Sequence, residues 1–160
     1  LYNAGEQNSI VQVEAVEEVA KANGAELVTA SVSTSAEVKQ AAESLIGRVD
    51  AIYIPTDNTV VSAFQTVVTV ANEQKLPLFA GELDSMEQGA IAASGFSYYD
   101  LGYQTGLMAV KILKGEKKPS EIPAAYPESF KLVINKAAAE AQGVEIKDSW
   151  KEIAEIFEGN

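Results

Sequence analysis

Three times along this chain an apolar run stops in a cluster of polar side chains just where a helical pattern begins, and that arrangement constrains the fold more than any other feature. The clearest case is residues 51–61, AIYIPTDNTVV, where Ala51, Ile52, Tyr53 and Ile54 run into Pro55 and then Thr56, Asp57, Asn58 and Thr59. Residues 2–10 (YNAGEQNSI) and 76–86 (LPLFAGELDSM) repeat the design. A strand that ends in polar groups at the start of a helix brings side-chain donors, side-chain acceptors and the free amides of the helix N-terminus to one point. In an open parallel sheet all such strand ends lie along one rim, so three clusters far apart in sequence can line a single cleft.

The rest of the pattern supports such a sheet. Ile10, Val13, Val16, Val19 and Ala20 have the spacing of an amphipathic helix over residues 9–23, with Asn8 or Ser9 as cap and Asn23-Gly24 as stop. A strand is expected over 25–32, a helix from Glu37 to about Gly47, the central strand over 50–55, and a valine-rich helix over 59–74 that tertiary packing must hold. Residues 75–81 read as a strand, with Pro77 marking an edge or a strand start. Residues 82–89 read as a loop or single helical turn and 90–94 as a short strand. A helix then runs to Leu113, and residues 116–127, with three of the five prolines, form the one linker-like stretch. A strand over 130–134 and helices over 136–142 and 149–157, the last holding Trp150, are expected after it. This order, with short connections and right-handed crossovers, specifies an α/β fold with a doubly wound parallel sheet.

Composition removes several function classes. The 160 residues suit one well-packed domain. With 23 acidic against 12 basic residues and a formal charge of -11, no basic face is available for nucleic acid. Cysteine and histidine are both absent, which excludes disulfides, thiolate nucleophiles, imidazole metal sites and histidine-dependent triads. No run of about 18 apolar residues is present to span a membrane. The chain opens at Leu1 inside an apparent strand shorter than the usual five or six residues, which is expected of a fragment lacking its N-terminal part.

Among the polar clusters, Asn58 or Thr59 caps a helix, yet Thr56, Asp57, Asn58 and Thr59 together exceed what a cap needs. Asn8 and Ser9, after Gly5, can present amide, hydroxyl and backbone donors to a carboxylate. The loop lacks the lysine-bearing GxxxxGK[ST] phosphate pattern and the GxGxxG turn. Glu82, Asp84 and Ser85 can hold an ammonium group, which is favoured over acid-base catalysis because no nucleophile or lysine stands near in sequence. Asp57, Glu82 and Asp84 have the oxygens for magnesium, but no metal or other cofactor is expected. Phe96, Tyr98 and Tyr99 stand at a strand-to-helix switch, where core packing or stacking on a planar ligand both fit.

YNAGEQNS, DAIYIPTDNTV, LPLFAGELDS with GAIAASGFSYYDLG, and ILKGEKKPSEIP leading to FKLVIN together resemble the ABC-importer substrate-binding lipoproteins that take up tryptophan or tyrosine. The resemblance covers residues 1 to about 145 but only the C-terminal half of such a protein. It implies a type I periplasmic-binding-protein-like fold, with residues 1–94 as the second, ligand-binding lobe and 95–115 as a crossing segment and helix that pack on a missing first lobe. Residues 116–160 would supply the linker, a returning strand and C-terminal helices. It further implies an amino-acid ligand, ABC permease subunits as partners, a cell-surface lipoprotein outside the cytoplasm, and no enzymatic activity. The binding positions carried over are Asn8, Ser9, Thr56, Asp57, Asn58, Glu82, Asp84 and Ser85. Asn8, Ser9 and Asn58 would face the ligand carboxylate, and Asp84 or Glu82 its ammonium. Two rival readings share the fold: a ligand-sensing effector domain of a transcription regulator, and a sugar-binding homologue. A fragment of this kind is expected to bind weakly alone and to self-associate or be unstable.

Overall fold

In the computed structural model, which describes residues 1–127 and 129–159, helices and strands alternate as the patterning implies. Strand β1 (Tyr2–Asn3) turns into α1 (Gln7–Ala22), followed by β2 (Ser31–Val32), a 3-10 turn at Ser35–Glu37 and α2 (Val38–Glu43). Next come β3 (Ile52–Ile54) with α3 (Asn58–Val61) and α4 (Phe64–Gln74), and then β4 (Leu78–Ala80) with α5 (Asp84–Gln88). β5 (Ala92–Gly95) leads into α6 (Tyr98–Leu113), and β6 (Lys131–Asn135), α7 (Lys136–Ala141), α8 (Asp148–Lys151) and β7 (Glu155–Phe157) follow in that order.

β3, β4 and β5 pair in parallel, β6 enters antiparallel to β5, and β7 runs parallel to β6. β1 and β2 form a parallel pair, and the Leu1 amine donates to the Tyr53 carbonyl at 3.1 Å, which sets β1 beside β3. The five-stranded sheet therefore runs β3-β4-β5-β6-β7, mixed rather than wholly parallel because of β6, and the two-stranded β2-β1 pair stands at its β3 edge through the Leu1 bond. The order reverses between β1 and β3, and the crevice at such a reversal is where open α/β sheets bind ligands.

Alternation along the strands divides the core. Ile52, Ile54, Leu78, Ala80, Ala93 and Val133 pack with Val38, Ala42, Leu45, Val60, Phe64, Val67, Ala71 and Met86 in the main cluster. A second, smaller cluster holds Ile91, Ala138 and Ala139, with Phe79, Ala92, Val144 and Ile146 against it. The valines of α4 are held by tertiary packing: Phe64, Val67, Val68, Val70 and Ala71 are all buried, and each large side chain so buried contributes about 1.5–3 kcal/mol. Pro77 immediately precedes β4, an interior strand, so it serves as a strand start. Buried Gln142 ties this region together, accepting from the Leu78 amide at 2.8 Å and donating to Asn72 Oδ1 at 3.1 Å and the Gly89 carbonyl at 2.9 Å.

Four expectations are corrected. The helix over 59–74 is two helices, because after Thr59, Val60 and Val61 the Ser62 hydroxyl donates back to the Thr59 carbonyl at 2.7 Å and the chain bends before Phe64. The strand over 25–32 shrinks to Ser31–Val32, since β1 offers only Tyr2 and Asn3 as ladder partners. Alongside residues 25–30 lies a groove of about 590 Å³, lined in part by Leu27, Val28, Leu45, Val49 and Ile52. The C-terminal helix over 149–157 ends at Lys151, and Glu155–Phe157 instead form β7, where pairing with the open edge of β6 overrides the helical pattern. Finally, α1 begins at Gln7, with Glu6 rather than Asn8 or Ser9 at its cap position and no side-chain cap bond.

Helix α6 differs from every other long element. It contains no buried residue; Tyr99 is 80% and Leu113 85% exposed, and Tyr103, Leu107 and Val110 are exposed as well. Its apolar positions, spread over more than one stripe, face no packing partner among the described residues that would bury them.

Candidate functional site

The C-terminal ends of β1, β3, β4 and β5 deliver four loops to one rim, and the first three are knitted together by side chains. Asp57, 1% exposed, is the hub. Its carboxylate accepts from the Asn3 amide at 2.6 Å, the Ser9 hydroxyl at 2.6 Å and the Val60 amide at 2.8 Å. It therefore caps α3 itself, where Asn58 or Thr59 was expected to, and anchors the first loop to the second. Asn8 adds a bond from its Nδ2 to the Thr56 carbonyl at 2.6 Å, and Gln12, reaching from α1, accepts the Thr56 amide at 3.0 Å.

Glu6 makes the second tie. Its two carboxylate oxygens accept from the Asn58 amide at 3.0 Å, Asn58 Nδ2 at 2.7 Å, the Thr59 amide at 3.0 Å and the Thr59 hydroxyl at 2.8 Å. Desolvation opposes the charged form, but these four donors outweigh it and hold the Glu6 carboxyl below its ordinary value. Asn3 Nδ2 completes the knot by donating to the Thr59 hydroxyl at 2.8 Å.

The second and third loops meet at Gly81. Thr56 Oγ1 donates to its carbonyl at 3.2 Å, and a Cβ on this residue would stand 2.8 Å from Tyr53 Oη and 3.2 Å from the Thr56 amide nitrogen, so a larger residue requires the Tyr53 side chain and the Thr56 backbone to shift. Beyond it, buried Glu82 accepts from the Asp84 amide at 2.7 Å, the Ser85 amide at 2.8 Å and the Ser85 hydroxyl, which fixes the first turn of α5. At the fourth loop, Phe96 packs edge-on to Tyr98 at 5.1 Å and to Phe130 at 6.1 Å, joining the chain leaving the sheet to the chain returning to it.

The structure thus brings the eight sequence candidates to one rim and sorts them. Ser9, Asp57, Glu82 and Ser85 are buried and hydrogen-bonded within the rim. Asn8, Thr56 and Asn58 are exposed or partly so, each with one side-chain group engaged by a neighbouring loop. Asp84 is exposed, and among the described residues its carboxylate accepts no hydrogen bond and pairs with no cation. Among the described residues no set of three or more acidic side chains is arranged to hold a metal ion. Asn3, Glu6 and Gln12 also tie the rim together, and sequence reasoning missed them. Each acts on a partner more than forty positions away, which no local pattern encodes.

The family model described as ABC transporter substrate binding protein matches residues 1–156. The chain belongs to this family. Among curated substrate-binding relatives, the tyrosine-binding protein of Clostridioides difficile (strain R20291) is 41% identical over 141 residues, covering 88% of this chain and 41% of its own. A solved ABC domain in complex with L-Trp from Streptococcus pneumonia superposes with a TM-score of 0.89 at 34% identity, over 98% of this chain and 53% of that one. The ligand-free, open structure of a substrate-binding protein with adhesive properties from Clostridium difficile gives 0.74 at 40% identity, over 99% of this chain and 53% of that one. The chain therefore spans about half the length of the substrate-binding proteins it matches. Among the described residues no helix is long and apolar enough to cross a membrane.

Proposed function

We propose that this chain forms one wall of a two-walled receptor that binds an aromatic amino acid, tryptophan or tyrosine, and delivers it to the permease of an ABC importer. Residues 1–94 supply the ligand-binding lobe, residues 95–115 cross to and pack on a second lobe, and the remainder returns to the sheet. The receptor works outside the cytoplasm, held at the cell surface as a lipoprotein. Ligand closes the two walls, and contacts made only in the closed form shift the population that the permease recognises.

The observation that carries this reading is the 0.89 superposition, over 98% of the chain, on a solved relative holding L-Trp. Two features support it. The interlocked loops stand at the sheet's reversal point, and the bare α6 offers an apolar face for another body to cover. The chain also fits the L-Trp complex better than the ligand-free open structure, although its sequence is closer to the second (40% against 34%). Burying the aromatic side chain would contribute about 1.5–3 kcal/mol, and each charge-assisted hydrogen bond to the amino-acid end about 1.5–3 kcal/mol.

Calorimetric titration of the full-length protein with L-tryptophan, L-tyrosine, L-phenylalanine and L-leucine tests the reading. Saturable binding of tryptophan or tyrosine, tighter than leucine, is expected. Binding of a sugar and none of these four would overturn it.

A further inference from the structure

We infer that the groove under α1 is a strand slot, filled in the full-length protein by a short apolar run that leads into Leu1 and extends β1 between residues 26–30 and β3. This holds whatever ligand the receptor binds. The groove encloses about 590 Å³, and Val13, Val16, Leu27, Val28, Leu45 and Tyr53 are among its lining residues.

The walls of the groove are two strand edges whose backbone groups face each other across it. In a parallel ladder every second residue of a strand turns its N–H and C=O toward the same neighbour. Tyr2 pairs with Ser31 and its amide donates to the Ala30 carbonyl at 3.1 Å, so on this edge the inward residues are Ala30, Val28 and Glu26. On the other edge Ile52 and Ile54 turn to β4, the first donating to the Pro77 carbonyl and the second accepting from the Gly81 amide, which leaves Ala51 and Tyr53 facing the groove. The Leu1 nitrogen donates to the Tyr53 carbonyl at 3.1 Å, and beyond that point pairing stops. Among the described residues the amides of Val28, Ala30 and Tyr53 and the carbonyls of Val28 and Ala51 make no hydrogen bond. An extended segment in line with β1 satisfies both rows at once, and about three residues, at roughly 3.3 Å each, carry the groups that do so.

Side-chain packing points to the same occupant. Helix α1 has the spacing of an amphipathic helix, yet Ser9 is its one buried residue; Val13 and Val16 are only half-buried where they line the groove, because among the described residues no strand lies beneath them. On the other face Leu1 packs into the main core with Leu45. A parallel strand covered by helices on both faces is apolar at successive positions rather than alternating, and that is the composition the slot takes. The strand also sets the first rim loop. Asn3, at the end of β1, donates its amide to Asp57 at 2.6 Å, and Glu6, Asn8 and Ser9 follow directly.

Amide hydrogen exchange, read by NMR on the full-length protein, tests this. The amides of Val28, Ala30 and Tyr53 are expected to exchange about 100-fold more slowly than those of Leu27 and Thr29, which face away from the slot, and the residues before Leu1 should be protected as a continuous run. Val28→Pro removes an inward donor and should melt several degrees below Thr29→Pro, which removes an outward one on an edge strand. Fast exchange at all five positions, or equal melting of the two proline variants, would overturn the inference. So would protection that fades on dilution as a dimer dissociates, which assigns the slot to a strand from a second copy. A bound apolar molecule in the slot would leave these amides without acceptors and give the fast-exchange result.

Discussion

Replacing Asp57 with alanine should separate a residue that holds the rim from one that touches ligand. The carboxylate is buried and takes three donors, the Asn3 amide, the Ser9 hydroxyl and the Val60 amide. Deleting it leaves all three without their acceptor. Loss of the α3 cap alone costs about 1 kcal/mol, and each buried donor left unsatisfied costs about 1–3 kcal/mol. Relief of the buried charge and entry of water at the rim offset part of this, so a net loss of about 3–5 kcal/mol is expected, a large share of the 5–15 kcal/mol typical of a whole domain. Asp57→Asn should cost less, about 1–2 kcal/mol, because its carbonyl can still accept one donor while its amide meets the Asn3 N–H head-on. Urea denaturation of the full-length protein, followed by far-ultraviolet circular dichroism and with the m-value checked for constancy, measures both. A loss below about 1 kcal/mol in Asp57→Ala, together with collapse of ligand affinity, would refute the reasoning and make the carboxylate a ligand contact.

Two further outcomes follow from the same rim. Gly81→Ala places a methyl group 2.8 Å from Tyr53 Oη, so it should destabilise by about 1–3 kcal/mol, and removing the hydroxyl in the Gly81→Ala/Tyr53→Phe double variant should recover part of that in thermal melting. The Glu6 carboxyl is depressed in the folded state, so its stabilisation is present above the ordinary pKa of about 4.5 and lost as pH falls through the lower folded value. Unfolding midpoints measured from pH 7 down to pH 3 should show this acid-side drop in the unaltered protein and lack that component in Glu6→Gln; parallel profiles would contradict the Glu6 tie.

The alternation of elements was legible because its signals are local: apolar spacing in α1 and α4, Asn23-Gly24 at a helix end where Gly24 adopts φ +73, and Pro77 at the start of β4. The rim was legible as a set of loops for the same reason. What local pattern could not supply was partnership. Residues 149–157 carry apolar residues that fit a helix, and only the exposed edge of β6 turns Glu155–Phe157 into a strand. Likewise the polar residues of the rim look alike in sequence. That Asp57 and Glu82 are saturated internally while Asp84 is not depends on where Asn3, Ser9 and the α5 amides fall in space.

The position of β6 carries a consequence for how the molecule is made. The chain leaves the sheet at Gly95, travels through α6 and its following loop, and returns at Lys131 opposite the residue it left from. Closing an excursion of roughly 35 residues carries an entropy cost of about 3 kcal/mol before the β5–β6 ladder returns anything. During synthesis β3, β4 and β5 emerge one after another and can pair at once, whereas the far edge of β5 stays open until β6 has left the ribosome. For that interval the nascent sheet presents an unpaired parallel edge. Slow translation of residues 98–130 would lengthen the time during which that edge can capture a strand from another molecule.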